Sequence, residues 1–512
     1  MRKTFFIAVI ALVAGYKSLT ATGKTQIFTI TDKECQTIDG FGASDAWSMW
    51  QAARWSDSLR CQIADWLFST ETYANGSPKG IGLSIWRYNA GAGSATQGDS
   101  AKINRDTRTE FFQNQAGQRL FLKMAKERGV PVFIAFFNSP PINLTINGLA
   151  TNTGRGGTLN LRDDAYADFA RYAANMVETI SREDGVDFNY LCPVNEPDGS
   201  WNWQGPKQEG TPATNREVTR IAREMDREFS SRNLHTQILI NESSDFRCML
   251  GIHDTDWQRG NEIQAFWNPD STDTYVGQMG NVAKIMAGHS YWTNTPVLRP
   301  GERGYEQRGL YGYRRKISEA INAVGVKFWM TELCIMQNDE EIGGGFPYDF
   351  TMKTALYVAR VMHYDLTVAN ACSWQWWRAL GGNYRDGLLM GSRRGRGTEY
   401  KVRDSKLLWT IGNYSRFVRP GAVRLDVKGN DGDPYGVMAS AYRNADGSLA
   451  IVVINYTNKE QDIQIGGIAK GKNLKVYRTS DTDDENLKLI GTANSDKITL
   501  SPHSVTTFVC DK

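Results

Sequence analysis

Glu196 lies in Cys192-Pro193-Val194-Asn195-Glu196-Pro197, and Glu332 lies in Phe328-Trp329-Met330-Thr331-Glu332-Leu333. Each carboxyl follows a short apolar run, where an unpaired charge is costly and a used one is expected. A pair of this kind suits cleavage of a glycosidic bond. One carboxyl must carry a proton to the leaving oxygen, while the other must be ionised to attack C1 or stabilise its positive charge. A shared, partly dry site parts their pKa values, because nearby anions repel and one proton is retained. Carboxyls about 5–5.5 Å apart retain the anomeric configuration, and a wider gap inverts it. Either glutamate alone is explained as well by a loop arginine partner; the pair together points to catalysis.

The elements that must hold these residues recur along the chain as a short apolar run, a polar loop and an amphipathic stretch. The runs expected as strands are Thr37–Ser44, Gly82–Asn89, Pro131–Phe137, Asn189–Val194, Gln237–Asn241, Ile285–His289, Lys327–Thr331 and Ala371–Trp376. Helical spacing falls between them at Thr107–Arg128, Asp163–Glu183 and Asn215–Ser231. Strands alternating with helices predict a parallel sheet, and eight over about 380 residues predict an α/β fold, a closed (β/α)8 TIM barrel. Active residues of such a barrel project from the C-terminal ends of its strands, and strands four and seven face one another across the mouth. After Pro420 the texture changes to short strands with Gly, Asn and Asp turns, which predicts an antiparallel β-sandwich side domain. Gln26–Ile30 is expected to join it. The expected division is 1–23 signal peptide, 24–38 strand of the side domain, 39–417 catalytic barrel and 418–512 sandwich.

Arg2 and Lys3 precede the apolar run Phe5–Gly15, and small and polar residues follow to Gly23. That order is a cleavable secretory signal, so a secreted or periplasmic protein is expected, with no membrane span. A net charge of +3 gives no reason to expect a nucleic acid or an anionic membrane as partner. The basic stretch Arg393, Arg394, Arg396, Lys401, Arg403 and Lys406 reads as a solvated loop, or alternatively as a contact to an acidic sugar substituent. The 15 Trp and 21 Tyr exceed ordinary core needs and add weight to sugar binding. The seven cysteines show neither CxxC nor His/Cys ligand spacing, so no metal site is suggested. No cofactor is expected, because two carboxylates supply both the proton and the covalent intermediate. Oligomeric state is not legible.

Asn195-Glu196-Pro197 and Glu332 together resemble the clan A retaining glycosidases. Further segments are similar to glycoside hydrolase family 30: Gly40-Phe41-Gly42-Ala43-Ser44, Ser139-Pro140-Pro141, His289-Ser290-Tyr291, Trp374-Gln375-Trp376 and Gly412-Asn413-Tyr414-Ser415-Arg416-Phe417 with Arg419-Pro420-Gly421. The resemblance implies that Glu196 is the acid/base and Glu332 the nucleophile. It implies that Asn195 bonds the sugar 2-hydroxyl, Tyr291 holds the nucleophile's oxygen, and Arg87 supports it electrostatically. His289 and Trp376 are implied to line the −1 subsite, with Trp374 and Asn138 as further contacts. Asp45 and Trp47, ending the first strand, complete the expected substrate-binding set. Asp45 is singled out among carboxylates that otherwise read as loop salt bridges and caps, namely Glu209, Glu242 and Asp386.

Departures from the family are also visible. Ile142-Asn143 follow Ser-Pro-Pro where many members carry an aromatic. Asn89-Ala90-Gly91-Ala92-Gly93-Ser94 stands where several have an aspartate. The stretch Glu196-Pro197-Asp198, Trp201-Asn202-Trp203 and Gln208-Glu209-Gly210-Thr211 is closest to the endo-β-1,6-galactanase-like branch, with Trp201 and Trp203 stacking on sugars beyond the scissile bond. The expected substrate is a β-linked oligo- or polysaccharide, first a β-1,6-galactan, with glucuronoxylan or a β-glucoside as the alternative. A non-catalytic sugar-binding protein is the competing class.

Overall fold

The computed structural model describes residues 25–103, 107–202, 208–253, 258–336, 339–393, 399–469 and 472–512. The expected signal peptide (1–23), Trp203, Arg394 and Arg396 lie outside the described residues. No helix among the described residues is long and apolar enough to cross a membrane.

The first strand, β1 (Gln26–Thr37), belongs to the side domain. The barrel follows with β2 (Gly40–Ser44), β3 (Ile85–Asn89), β4 (Val132–Phe136), β5 (Tyr190–Cys192), β6 (Gln237–Ile238), β7 (Glu242–Ser243), β8 (Ile285–His289), β9 (Lys327–Glu332) and β10 (Ser373–Gly381). All neighbouring pairs are parallel, and β10 pairs with β2. The fifth strand is broken, unlike the continuous run expected. Its first half pairs with β5 and its second with β8, so the ring closes across the break. Parallel bridges between Asn195 and Glu242 and between Ile238 and Val282 span the same gap.

Alternation along the strands decides what enters the barrel. Ser44 lies beside Arg87 in register, and Ala43 beside Trp86. Trp86 packs edge-on against Phe68 of the helix Asp57–Phe68, so its face is the helix side and Arg87 points into the barrel. The helix Asn215–Ser231 opens with a reciprocal cap between Thr214 and Glu217. Gly185, at φ 67°, ends the helix Tyr166–Asp184.

Two strands not anticipated, β11 (Gly387–Arg393) and β12 (Tyr400–Arg403), form a hairpin that extends β10 sideways. The side domain adds β13 (Val423–Lys428), β14 (Val437–Arg443), β15 (Leu449–Asn455), β16 (Gln461–Gly466), β17 (Asn473–Thr479), β18 (Lys488–Asn494), β19 (Ile498–Leu500) and β20 (Ser504–Cys510). Their order is β18-β17-β20-β15-β14-β13-β1-β16-β19. β18 is mostly exposed and β19 is only three residues long, so both carry a weak strand signal in the sequence. β1 runs antiparallel to β13 but parallel to β16, so the sheet is not wholly antiparallel. Phe28, Ile30, Leu425, Ile451, Ile463 and Phe508 close a second core inside this sandwich. All seven cysteines are unpaired thiols.

Candidate active site

Glu332 ends β9 with both oxygens engaged. Tyr291 donates its hydroxyl to Oε1 at 2.7 Å, and Arg87 Nη1 donates to Oε2 at 3.2 Å. The other arm of Arg87 donates to Glu242 Oε2 at 2.7 Å. Arg87 is fully buried, with its guanidinium 4.1 Å above the Phe136 ring. His289, at the end of β8, places Nδ1 2.8 Å from Glu196 Oε1 and Nε2 3.5 Å from Glu242 Oε2. Glu196 follows β5 and keeps 16% of its side chain exposed, the most open of these acids.

The charges in this cluster depend on one another. Burial alone would drive the His289 proton off, but the Glu332, Glu196 and Glu242 carboxylates outweigh it and raise its pKa to about 10. Burial pushes Glu242 up, yet Arg87 and His289 bring it down to about 2, so it is a permanent anion. Burial raises Glu332, opposed by His289 and Arg87. Its donors from Tyr291 and Arg87 are those of a carboxylate held as the anion. One ligand atom each from Glu196, His289 and Glu332 lies within 4.8 Å of the others. The arrangement brings two carboxyls close enough to work on one bond.

A sequence model of O-glycosyl hydrolase family 30 matches residues 24–390, and one of the family's β-sandwich domain matches residues 421–508. The chain belongs to glycoside hydrolase family 30. It is therefore a glycoside hydrolase. It is 26% identical over 398 residues to a protein named glucuronoxylanase XynC from Bacillus subtilis, covering 76% of this chain and 75% of that one. It is 24% identical over 372 residues to an endo-β-1,6-galactanase from Hypocrea rufa, covering 68% and 65%. A solved conserved exported protein from Bacteroides fragilis superposes with a TM-score of 0.86 at 32% identity, over 94% of this chain and all of that one.

The structure brings Glu196, Glu332, Arg87, His289 and Tyr291 together in one cluster, with Asn195 and Asn138 beside it. Asn195 Nδ2 donates to Asn138 Oδ1 at 3.1 Å, leaving Asn195 Oδ1 without a protein partner. Asp45 is buried below the mouth, where its Oδ1 accepts from the Asn89 backbone at 2.7 Å, and burial holds its pKa well above the usual range. Trp47 stands edge-on to Trp377, 5.2 Å between centroids.

Three expected substrate contacts are placed elsewhere. Trp374 and Trp376 share the helix-side face of β10, in register with Phe41 and Ala43; Trp374 bonds Asp365 and Trp376 bonds the Asp386 carbonyl. The barrel face belongs to Trp377, which lies against Phe136 and Arg87. Alternation after Trp376 sets it there, and the register shift that follows brings Arg378 level with Ser44. Trp201 is only 7% exposed and gives its indole N–H to the Glu196 carbonyl, so it is no open platform for a sugar. Glu242, read from the sequence as a loop salt bridge or cap, is instead a buried link between Arg87 and His289. Its place at the C-terminal end of the fifth strand was the available signal.

Proposed function

We propose that this family 30 enzyme cleaves a β-linked polysaccharide by double displacement with retention of configuration, with β-1,6-galactan as its substrate. The approach of Glu196 to Glu332, one oxygen of each within 4.8 Å, carries this reading. Glu196, the more exposed acid, protonates the leaving oxygen. Glu332, held by Tyr291 and Arg87, attacks C1 to form a glycosyl-enzyme. Glu196 then takes a proton from the incoming water, and hydrolysis frees Glu332. Asn195, next to Glu196, bonds the sugar 2-hydroxyl, a contact that strengthens as the oxocarbenium ion develops. The Glu196–Trp201 segment and the Gln208-Glu209-Gly210-Thr211 stretch support the galactan assignment. The similarity to a glucuronoxylanase over 76% of the chain favours glucuronoxylan as the second reading.

Wild type and a Glu332→Gln variant, incubated with β-1,6-galactan, glucuronoxylan and aryl β-glycosides, test both levels. The expected result is galactan oligomers from wild type, a first-formed product of β configuration by NMR, and a loss of about 10³-fold or more in the variant. Initial α product would sink the retaining mechanism. Cleavage of glucuronoxylan alone would replace the substrate.

A further inference from the structure

The strand-four motif continues into a segment that the chemistry above does not use. Glu196 adopts φ 51°, a left-handed conformation that a glutamate seldom takes without outside support. The backbone around it is held at several points. Its N–H donates to the Glu242 carbonyl at 2.7 Å, and its own carbonyl accepts from Gly199 N–H at 3.1 Å and from Trp201 Nε1 at 2.8 Å. Trp201 itself is left-handed at φ 48°. The remainder of the turn is anchored away from the substrate: Asp198 accepts from Ser244, and Arg259 donates to the Asp198 and Gly199 carbonyls.

The indole is seated by the second motif. A Cβ on Gly210 would lie 2.2 Å from the Trp201 ring, so only glycine admits the ring here. Gly210 N–H bonds the Ala150 carbonyl, tying it to the loop after β4. Its neighbour Glu209 is fully buried and accepts from Ser94 at 2.5 Å and from Thr109, both in the loop after β3. Three mouth loops thus meet behind one ring whose polar atom bonds the backbone of Glu196.

We propose that Trp201 is a positioning residue for Glu196: its indole N–H, backed by Gly210 and Glu209, fixes the backbone from which the acid carboxyl reaches the leaving oxygen. This inference rests on Glu196 being the acid/base. A misplaced acid slows the step that needs its proton and leaves substrate binding alone. The defect must therefore appear with poor leaving groups and vanish with those that depart unprotonated.

The test compares 2,4-dinitrophenyl and phenyl β-glycosides of the disaccharide that wild type releases from its polysaccharide. The proteins are wild type, Glu196→Gln, Trp201→Phe and Gly210→Ala. Trp201→Phe keeps the ring and removes the N–H; replacing Trp201 with benzothienylalanine, which carries sulfur in place of N–H, does so at nearly constant size. The expected result for Trp201→Phe is a loss of kcat/KM of about 10- to 100-fold on the phenyl glycoside. On the dinitrophenyl glycoside kcat/KM should stay within about threefold of wild type, while kcat and KM fall together because the base role of Glu196 in the second step is slowed as well. Gly210→Ala should show the same pattern and Glu196→Gln a deeper one. Equal losses on both substrates in the Trp201 variants, with Glu196→Gln still selective, would overturn the proposal and leave a packing role. No loss in the benzothienyl protein would overturn it as well. A Glu196→Gln variant blind to the leaving group would remove the acid/base assignment, and the proposal with it.

Discussion

Tyr291 donates its hydroxyl to Glu332 Oε1 across 2.7 Å, from the loop immediately after the strand that carries His289. The Cys334 thiol lies 3.7 Å from the same hydroxyl. Burial holds the phenol well above its usual pKa, so it remains a donor across the working range. A bond to an ionised partner contributes about 1.5–3 kcal/mol. Tyr291→Phe is thus expected to lower kcat/KM by about 10- to 100-fold, with the fold intact. Steady-state kinetics beside a thermal melt check this, and full activity in the variant would show that Arg87 alone suffices.

Glu242 contributes to stability as well as to the site. It is an anion with no exposure, held by Arg87 and His289. In Glu242→Gln, the buried Arg87 keeps only Glu332 as a charged partner, and removing one side of a buried pair costs about 3–5 kcal/mol. The pH dependence has a definite sign. Folding lowers this carboxyl from 4.5 to about 2, so its contribution is present above 4.5 and fades as pH falls toward 2. Urea unfolding at pH 7 and pH 3 should show the wild-type advantage shrinking at the lower pH. A constant difference would mean that Glu242 does not titrate with folding.

Much of this site was legible before any coordinates, because catalytic groups of a barrel sit at strand ends and strand ends are apolar runs that stop. Glu196, Glu332, His289 and Tyr291 follow that rule, whereas Arg87 lies mid-strand in β3. What failed was orientation. Trp374 and Trp376 are two apart and share a face, but nothing in Trp374-Gln375-Trp376-Trp377 states which face is inward. Pairing with β2, which sets Trp376 level with Ala43, decides that Trp377 is the one turned into the barrel. The break in the fifth strand was illegible for the same reason: β5 and β8 each claim half of one apolar run. Trp201 misled because a tryptophan in a polar loop reads as exposed, whereas Gly210, nine positions on, makes room to bury it.

Glu209 should give the opposite pH signature to Glu242. Burial, partly offset by the Ser94 and Thr109 hydroxyls, raises it from 4.5 to about 7. The folded chain then keeps a proton that the unfolded chain releases. Its stability is full below about 4.5 and declines as pH rises through 7. Glu209→Gln cannot ionise and accepts the same hydroxyls, so it should gain about 2–3 kcal/mol on wild type between pH 4.5 and 8. Parallel unfolding curves at the two pH values would show that Glu209 stays ionised in the folded protein.

The barrel and sandwich are joined through Asn413, in the helix Lys406–Ser415. Its side chain is fully buried and donates to Thr507 Oγ1 at 3.0 Å and to the Tyr477 carbonyl at 3.3 Å, while accepting from Thr479 Oγ1 at 2.8 Å. These partners lie on β17 and β20, and the next residue back, Gly412, packs where a Cβ would meet Ile81 and Leu487 at 2.8 Å. Truncating the amide strands buried polar groups on the sandwich side, each costing about 1–3 kcal/mol. Asn413→Ala should therefore destabilise by about 3 kcal/mol and weaken the coupling between the two units. Calorimetry is the measurement: a single wild-type transition should split or broaden in the variant. A single sharp transition, shifted but undivided, would show that the apolar contacts around Ile81 and Leu487 carry the coupling without the amide.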